Sequence, residues 1–407
     1  MLEKLTLIAL SAACSAGVAN AESPIWRAQQ EAIYEPSASN SDRLTLSLTS
    51  THVYNSEGLT LETTNASPGG QRQRVSYVYT DGRVTQELTE TLVGGEWQRV
   101  KLRNRTYDPQ TGIITLNEEY NYVDGQAKPG NCYERRIKRD DAGNVTEVTI
   151  AVLFNGEYDE TQRMTVTPTS IVFDELTFDG VGLVWSRSEE YTNIVWERTD
   201  GQIVSADDLY TGANRLLSAH YVNDNGSKPY YDYDIAATYG DDNDFDCTMS
   251  GLYQGLADAE VIRSYRETKA DDGSMTYAMT TSYDVVGSPE PAELYGEELR
   301  VDAWGLETLY RTTSWLEGEE PAVDSERITE VDYDATVGYP LKATSTENGT
   351  LLVSIEYADY VDCTQLGALR GIRVADSAAP DCFNLRGQRV SPSARGLKLS
   401  RGAKRFE

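Results

Sequence analysis

Arg74-Val-Ser-Tyr-Val-Tyr-Thr-Asp-Gly-Arg-Val-Thr-Gln-Glu-Leu88 is the stretch that decides the fold class. Asp81-Gly82 has the residue types that a two-residue type I′ turn demands, because both central positions need positive φ. Setting the turn there pairs Tyr79 with Val84, Tyr77 with Gln86 and Val75 with Leu88. Val75, Tyr77, Tyr79, Val84 and Leu88 then share one face with Gln86 as its polar member, while Ser76, Thr80, Thr85 and Glu87 point the other way and Val78 is the apolar exception. This is a β-hairpin with one mainly apolar face.

The same cadence recurs along the chain. Turn signals stand at Glu57-Gly58, Gly94-Gly95, Asp108 to Gly112, Asp124-Gly125, Asp141 to Gly143, Asn155-Gly156, Asp179-Gly180 and Asp200-Gly201. They continue at Asn223 to Gly226, Asp271 to Gly273, Trp304-Gly305, Glu317-Gly318 and Asn348-Gly349, with strand-length segments between them. Residues 257–265 and 291–300 are less regular. With 26 Tyr, 6 Trp and 32 Gly in 407 residues and few long apolar helical stripes, the expected body is all-β. An extended antiparallel meander of β-hairpin repeats is preferred, with a sandwich or propeller as the alternatives.

The chain divides into a signal peptide at 1–21, a lead-in at 22–43, the hairpin body at 44–360, a linker at 361–381 and a basic tail at 382–407. Lys4, the apolar run from Leu5 to Ala13 and Ala19-Asn20-Ala21 have the form of a secretory signal. Cys14 raises lipid attachment as a competing reading. Within the lead-in, Arg27 to Tyr34 has room for two helical turns. The apolar run is too short to span a bilayer, which takes about 20 residues. The expectation is an exported chain that does not span the membrane, at the outer membrane or cell surface or secreted, with the periplasm as the alternative.

The net charge of −29 opposes binding to nucleic acid or an anionic membrane through bulk electrostatics. The tail departs from this balance. From Asn384 to Glu407 it carries seven basic side chains against one acid. Cys382-Phe-Asn-Leu-Arg-Gly-Gln-Arg-Val390, followed by Arg395-Gly-Leu-Lys-Leu-Ser-Arg-Gly-Ala-Lys-Arg405, resembles the C-terminal tails of exported Bacteroidota proteins that are related to type IX secretion sorting domains. Phe383, Leu385, Gly387, Val390, Gly396 and Leu397 match in place. Lys398 stands where an aromatic is usual and the final Lys is missing. The resemblance implies a surface address and the secretion machinery or cell-surface components as partners. The body more weakly resembles YD or Rhs hairpin repeats.

Reactive-group signatures are few. His52 and His220 are the only histidines, so a His-dependent nucleophilic hydrolase finds little support, and neither the Gly-x-Ser-x-Gly elbow nor a His-Glu-x-x-His pair occurs. No cofactor is implied except calcium at Asp242, Asp244 and Asp246, which would share a face if extended and repel one another without a cation. Four cysteines follow the signal, Cys132, Cys247, Cys363 and Cys382, and three pairings stay open; Cys363 with Cys382 closes the shortest loop. Tyr230, Tyr231 and Tyr233, Tyr77 with Tyr79, and Tyr120 with Tyr122 present rings at strand spacing, for cross-strand packing or for stacking on sugars. The expected function is a non-enzymatic surface module for binding, adhesion or scaffolding. The alternative is a glycan-binding protein or a carboxylate-dependent glycoside hydrolase, favoured if exposed aromatics line a concave groove.

Overall fold

In a computed structural model, the structure describes residues 25–37, 40–210, 213–224, 229–240, 244–364 and 366, together with four short strands between 382 and 406. The described residues form no α-helix. Twenty-three antiparallel strands, β1 to β23 in chain order, run from Trp26 to Asp362. Apart from β8 and β9, each hydrogen-bonds to its neighbour in sequence, as the hairpin cadence predicts, but the sheet is not an open meander, a sandwich or a propeller. β1 (Trp26–Ser37) pairs with β2 (Asn40–Tyr54) on one side and with β23 (Thr350–Asp362) on the other, so the sheet closes on itself. Closure removes the two open edges that a meander would leave unpaired.

The closed ring has 22 lanes. β7 (Ile114–Val123) pairs with β8 (Gln126–Pro129) at Tyr120 to Val123 and with β9 (Tyr133–Arg139) at Leu116 and Asn117, so β8 and β9 occupy one lane broken at residues 130–132. Cys132 is buried at the break, where its thiol donates to the Glu119 carbonyl at 3.2 Å. An even number of lanes lets an up-and-down chain close with every pairing antiparallel.

Three expectations about the sheet need correction. The sheet begins at Trp26, not Leu44, and residues 27–34 lie in a strand rather than in helical turns. Residues 257–265 are regular, in β17 (Leu256–Lys269), and so is the stretch 291–300 from Glu293 onward, in β19 (Glu293–Val301). In the hairpin of β4 (Arg72–Thr80) and β5 (Arg83–Val93), Asp81 and Gly82 take φ of 51° and 73°, as a type I′ turn requires, and Tyr79 faces Val84. A bulge then shifts the register, so Val78 faces Gln86, Tyr77 faces Glu87 and Ser76 faces Leu88.

The two ends of the barrel differ in chemistry. At one end, called lower here, the connections at 108–112, 140–143, 302–305 and 334–338 begin with an Asp whose carboxylate accepts hydrogen bonds from backbone N–H groups of its own loop. At the upper end the turns are mostly tight pairs such as Asp124-Gly125, Asn155-Gly156 and Gln254-Gly255, with positive φ at both residues. The six most exposed large apolar side chains among the described residues all stand there: Val181 at 94%, Phe178, Leu183, Phe154, Val286 and Leu256.

The face of the sheet turned inward is apolar over β10 (Val145–Phe154) to β18 (Met275–Val285), where Val148, Met164, Ile171, Tyr221, Met249 and Val261 pack together. The crossing at 200–213 contributes Leu209, fully buried, from a short 3₁₀ turn, Ala206–Tyr210. Gln202 Oε1 ties that crossing to β10 by accepting from Val145 N at 2.9 Å. Followed pair by pair around the ring, the same face becomes charged at Glu87, Arg103 and Glu119. Arg103 reaches Glu119 at 2.6 Å and Glu87 at 3.2 Å. Burial works against both charges, but the pair more than offsets it, holding the Glu119 carboxyl low and the Arg103 guanidinium high.

Asp108 shows the same balance at the lower end. Burial raises its carboxyl, and this is outweighed by hydrogen bonds from Thr111 N and Oγ1 and by Arg139 at 2.9 Å, so it sits below its ordinary value of 3.8. A depressed folded value means that the stabilisation is fully present above the unfolded value and is lost as pH falls through the folded one. The melting temperature is therefore expected to fall as pH drops below about 4, and Asp108→Asn to remove part of that fall. Identical pH profiles for the two proteins would contradict this account.

Candidate functional site

The residues singled out in the sequence do not gather at one place. Asp242 lies outside the described residues. Both oxygens of Asp246 accept from Arg266 Nη2, at 2.7 and 3.0 Å, and hydrogen bonds from Ser264 and Arg266 keep its carboxyl below the usual range. Asp244 Oδ1 accepts from Glu267 N at 2.8 Å. Arg266 thus answers the repulsion that suggested calcium. Among the described residues, no group of three or more His, Cys, Asp or Glu side chains is placed to hold a metal ion.

Cys363 is buried at the lower end, and its backbone N–H donates to Ile25 O at 2.8 Å. Its suggested partner, Cys382, begins a two-residue strand whose side chains lie outside the described residues. The same limit applies to Phe383, Val390 and Leu397, which fall in the short strands Cys382–Phe383, Arg389–Val390 and Leu397–Ser400. Leu385, Gly387 and Gly396 lie outside the described residues altogether. His52 contacts Thr63 at 3.0 Å and Glu31 at 3.6 Å, and His220 contacts Asp234 at 2.9 Å and Asp232 at 3.4 Å, with no serine or cysteine nucleophile among these partners.

The aromatic residues do organise a site. Strand register places Tyr191 opposite Tyr221 and Tyr221 opposite Tyr233, so one inward row carries three rings. Their centroids are 4.6 and 5.0 Å apart. The row continues to Tyr253 at 5.6 Å, Tyr283 at 5.8 Å and Tyr295 at 5.6 Å, each distance measured from the preceding ring. Tilted and edge-on packing at these separations is what aromatic quadrupoles favour. Tyr231 and Tyr233 therefore serve packing, whereas the ladder runs from Tyr221, 1% exposed, out to Tyr295, 44% exposed. Gly251 lies opposite Tyr233 with φ of 144°, and a Cβ there would meet Asp232 O at 2.5 Å, so the bare backbone makes room beneath the ring.

The ladder ends in an open groove of about 530 Å³ near the upper end, spanning the Gln254-Gly255 turn and β17 to β21 (Ala322–Tyr333). Tyr283 and Tyr295 form its aromatic wall, Met279 and Leu256 add apolar surface, and Glu293, Glu297, Asp324, Gln254, Thr281 and Thr312 supply polar groups. Tyr295 OH donates to Glu293 Oε2 at 3.0 Å, and this bond, with burial and the nearby carboxylates, raises its pKa. Asp324 accepts from Ser314 Oγ at 2.7 Å. Burial raises the Glu297 carboxyl, with Arg263 acting in the opposite sense. Rings flanked by hydrogen-bonding groups in a concave surface can stack on a ligand and fix its hydroxyls.

No sequence motif points to these residues. Tyr283, Thr281 and Met279 alternate along β18 in the pattern of an inward face, which is the one local signal available. Glu293 and Glu297 lie in the stretch read as irregular.

No family model matches the chain, and no curated protein matches it.

Proposed function

We propose that this protein is an exported, surface-associated binding module that takes a glycan in the groove at the upper end of its barrel. The observation that carries the reading is the open groove walled by Tyr283 and Tyr295 with carboxylates at the ring edges. A sugar offers an apolar face to an aromatic ring and hydroxyls to surrounding acceptors, and the groove provides both. The exposed apolar side chains that collar the same end support its role as the contact end, because large exposed apolar groups mark interaction surfaces. Export and delivery to the cell surface rest on the signal-like N-terminus and the sorting-like tail.

Tyr295 tests the reading cleanly because its ring is half exposed at the end of the ladder, so truncation leaves the core intact. On a glycan array followed by titration calorimetry, Tyr295→Ala is expected to weaken the best ligand by about tenfold or more. Its melting temperature should stay near that of the parent. An array on which no glycan is retained, or a Tyr295→Ala protein that binds as well as the parent, would overturn the proposal.

A further inference from the structure

The groove has an imbalance that narrows its ligand. Its lining includes three carboxylates, Glu293, Glu297 and Asp324, and no lysine or arginine. Two arginines of the neighbouring strands, Arg300 and Arg311, are turned to the other face of the sheet. There Arg300 holds Glu298 at 2.6 Å, while Arg311 reaches Glu298 at 3.6 Å and ion-pairs with Glu326. Within the groove, Glu293 and Asp324 each accept a hydrogen bond from a neutral hydroxyl, Tyr295 OH and Ser314 Oγ, and among the described residues no ion pair reaches either carboxylate. Arg263 lies opposite Thr281, where its charge bears on Glu297.

A site for a neutral sugar balances donors and acceptors, because every hydroxyl is both. This groove has an excess of acceptors and of negative charge. An ammonium group brings three donors and no acceptor, and aromatic faces attract it as well. We infer that the glycan recognised here carries free amino groups, as in unacetylated hexosamine units, with the ammonium set between Glu293, Asp324 and the Tyr295 ring. This rests on the glycan-binding reading and specifies its substrate class.

The test compares three tetrasaccharides by calorimetry: β-linked glucosamine, its N-acetylated counterpart and galacturonate. The glucosamine form should bind about tenfold tighter than the acetylated form at low salt, with galacturonate weakest, and the preference should shrink as salt is raised. Glu293→Gln with Asp324→Asn should bring the glucosamine and N-acetylglucosamine forms to near parity. Glu330→Gln with Asp332→Asn, two exposed acids toward the lower end of β21, removes the same charge and should leave the preference in place. Equal binding of the acetylated form overturns the inference while leaving the glycan reading intact. So does a preference that survives the first double variant, or one lost equally in the second, which would assign it to bulk charge. Failure of every oligosaccharide to bind would overturn the glycan reading and this inference together.

Discussion

Deletion of β1 is expected to open the barrel and turn the protein into an aggregating species. β1 pairs with β2 from Gln30↔Thr51 to Ser37↔Asn40 and with β23 from Trp26↔Asp362 to Tyr34↔Ser354, so its loss strips one edge from each neighbour. The gap cannot be healed by simple approach. β2 and β23 are both antiparallel to β1 and hence parallel to each other, so a 21-lane ring would require a parallel ladder with a different hydrogen-bond pattern. It would also lose the Tyr54 OH to Ala28 O bond at 2.8 Å and the bond from Tyr34 OH to Glu356 at 3.2 Å. At about 0.5–1.5 kcal/mol net per hydrogen bond, two ladders together approach the ~5–15 kcal/mol by which domains are stable. The long edges left behind would template intermolecular pairing. Size-exclusion chromatography and circular dichroism of a variant lacking residues 25–37 check this, and a monomer with unchanged strand signal would refute the closed ring. A circular permutant joining residue 364 to residue 25, with new ends at Gly94-Gly95, keeps every ladder and should fold, because Cys363 N and Ile25 O are already 2.8 Å apart.

What could be read from the sequence follows the range of the interactions involved. Turn chemistry is local, so Asp81-Gly82, Asp124-Gly125 and Asn155-Gly156 declared the hairpins, and the antiparallel order followed from them. Gln254-Gly255 escaped because Gln rarely takes positive φ, and here its φ is 49°. The slip after Val78 escaped because a bulge adds one residue without changing composition, which left Gln86 as a tolerable member of the wrong face. Closure was beyond local reading altogether. It depends on pairing residues 26–34 with 354–362, and the β1 sequence, with Gln29, Gln30 and Glu31 together and Pro36 near its end, lacks clean alternation. The groove joins side chains from several hairpins, and nothing in the local sequence marks Glu293, Glu297 and Asp324 among 65 acids.

Tyr221→Ala is expected to be among the most destabilising single substitutions in the chain. The ring is 1% exposed, touches Tyr191 and Tyr233 and lies 6.3 Å from Tyr231, so its removal leaves a void bounded by stiff aromatic walls on the two flanking strands. Those walls are fixed by backbone pairing and cannot collapse inward, which puts the cost near the top of the usual range, about 3–5 kcal/mol. Tyr221→Phe keeps the ring and loses the hydrogen bonds of its hydroxyl, to Glu189 Oε2 at 3.3 Å and with the Asn223 side chain, at a cost of about 1–2 kcal/mol. The two variants separate packing from hydrogen bonding at one site, and urea unfolding measures both. The effect should also reach the groove in the first variant alone. Tyr233 and Tyr253 connect Tyr221 to Tyr283, so a ladder loosened at its buried end gives Tyr283 and Tyr295 a less fixed wall, while the phenylalanine leaves ring positions unchanged. Equal stability losses in the two variants would place the energy in the hydroxyl and remove the ladder as the element that positions the site.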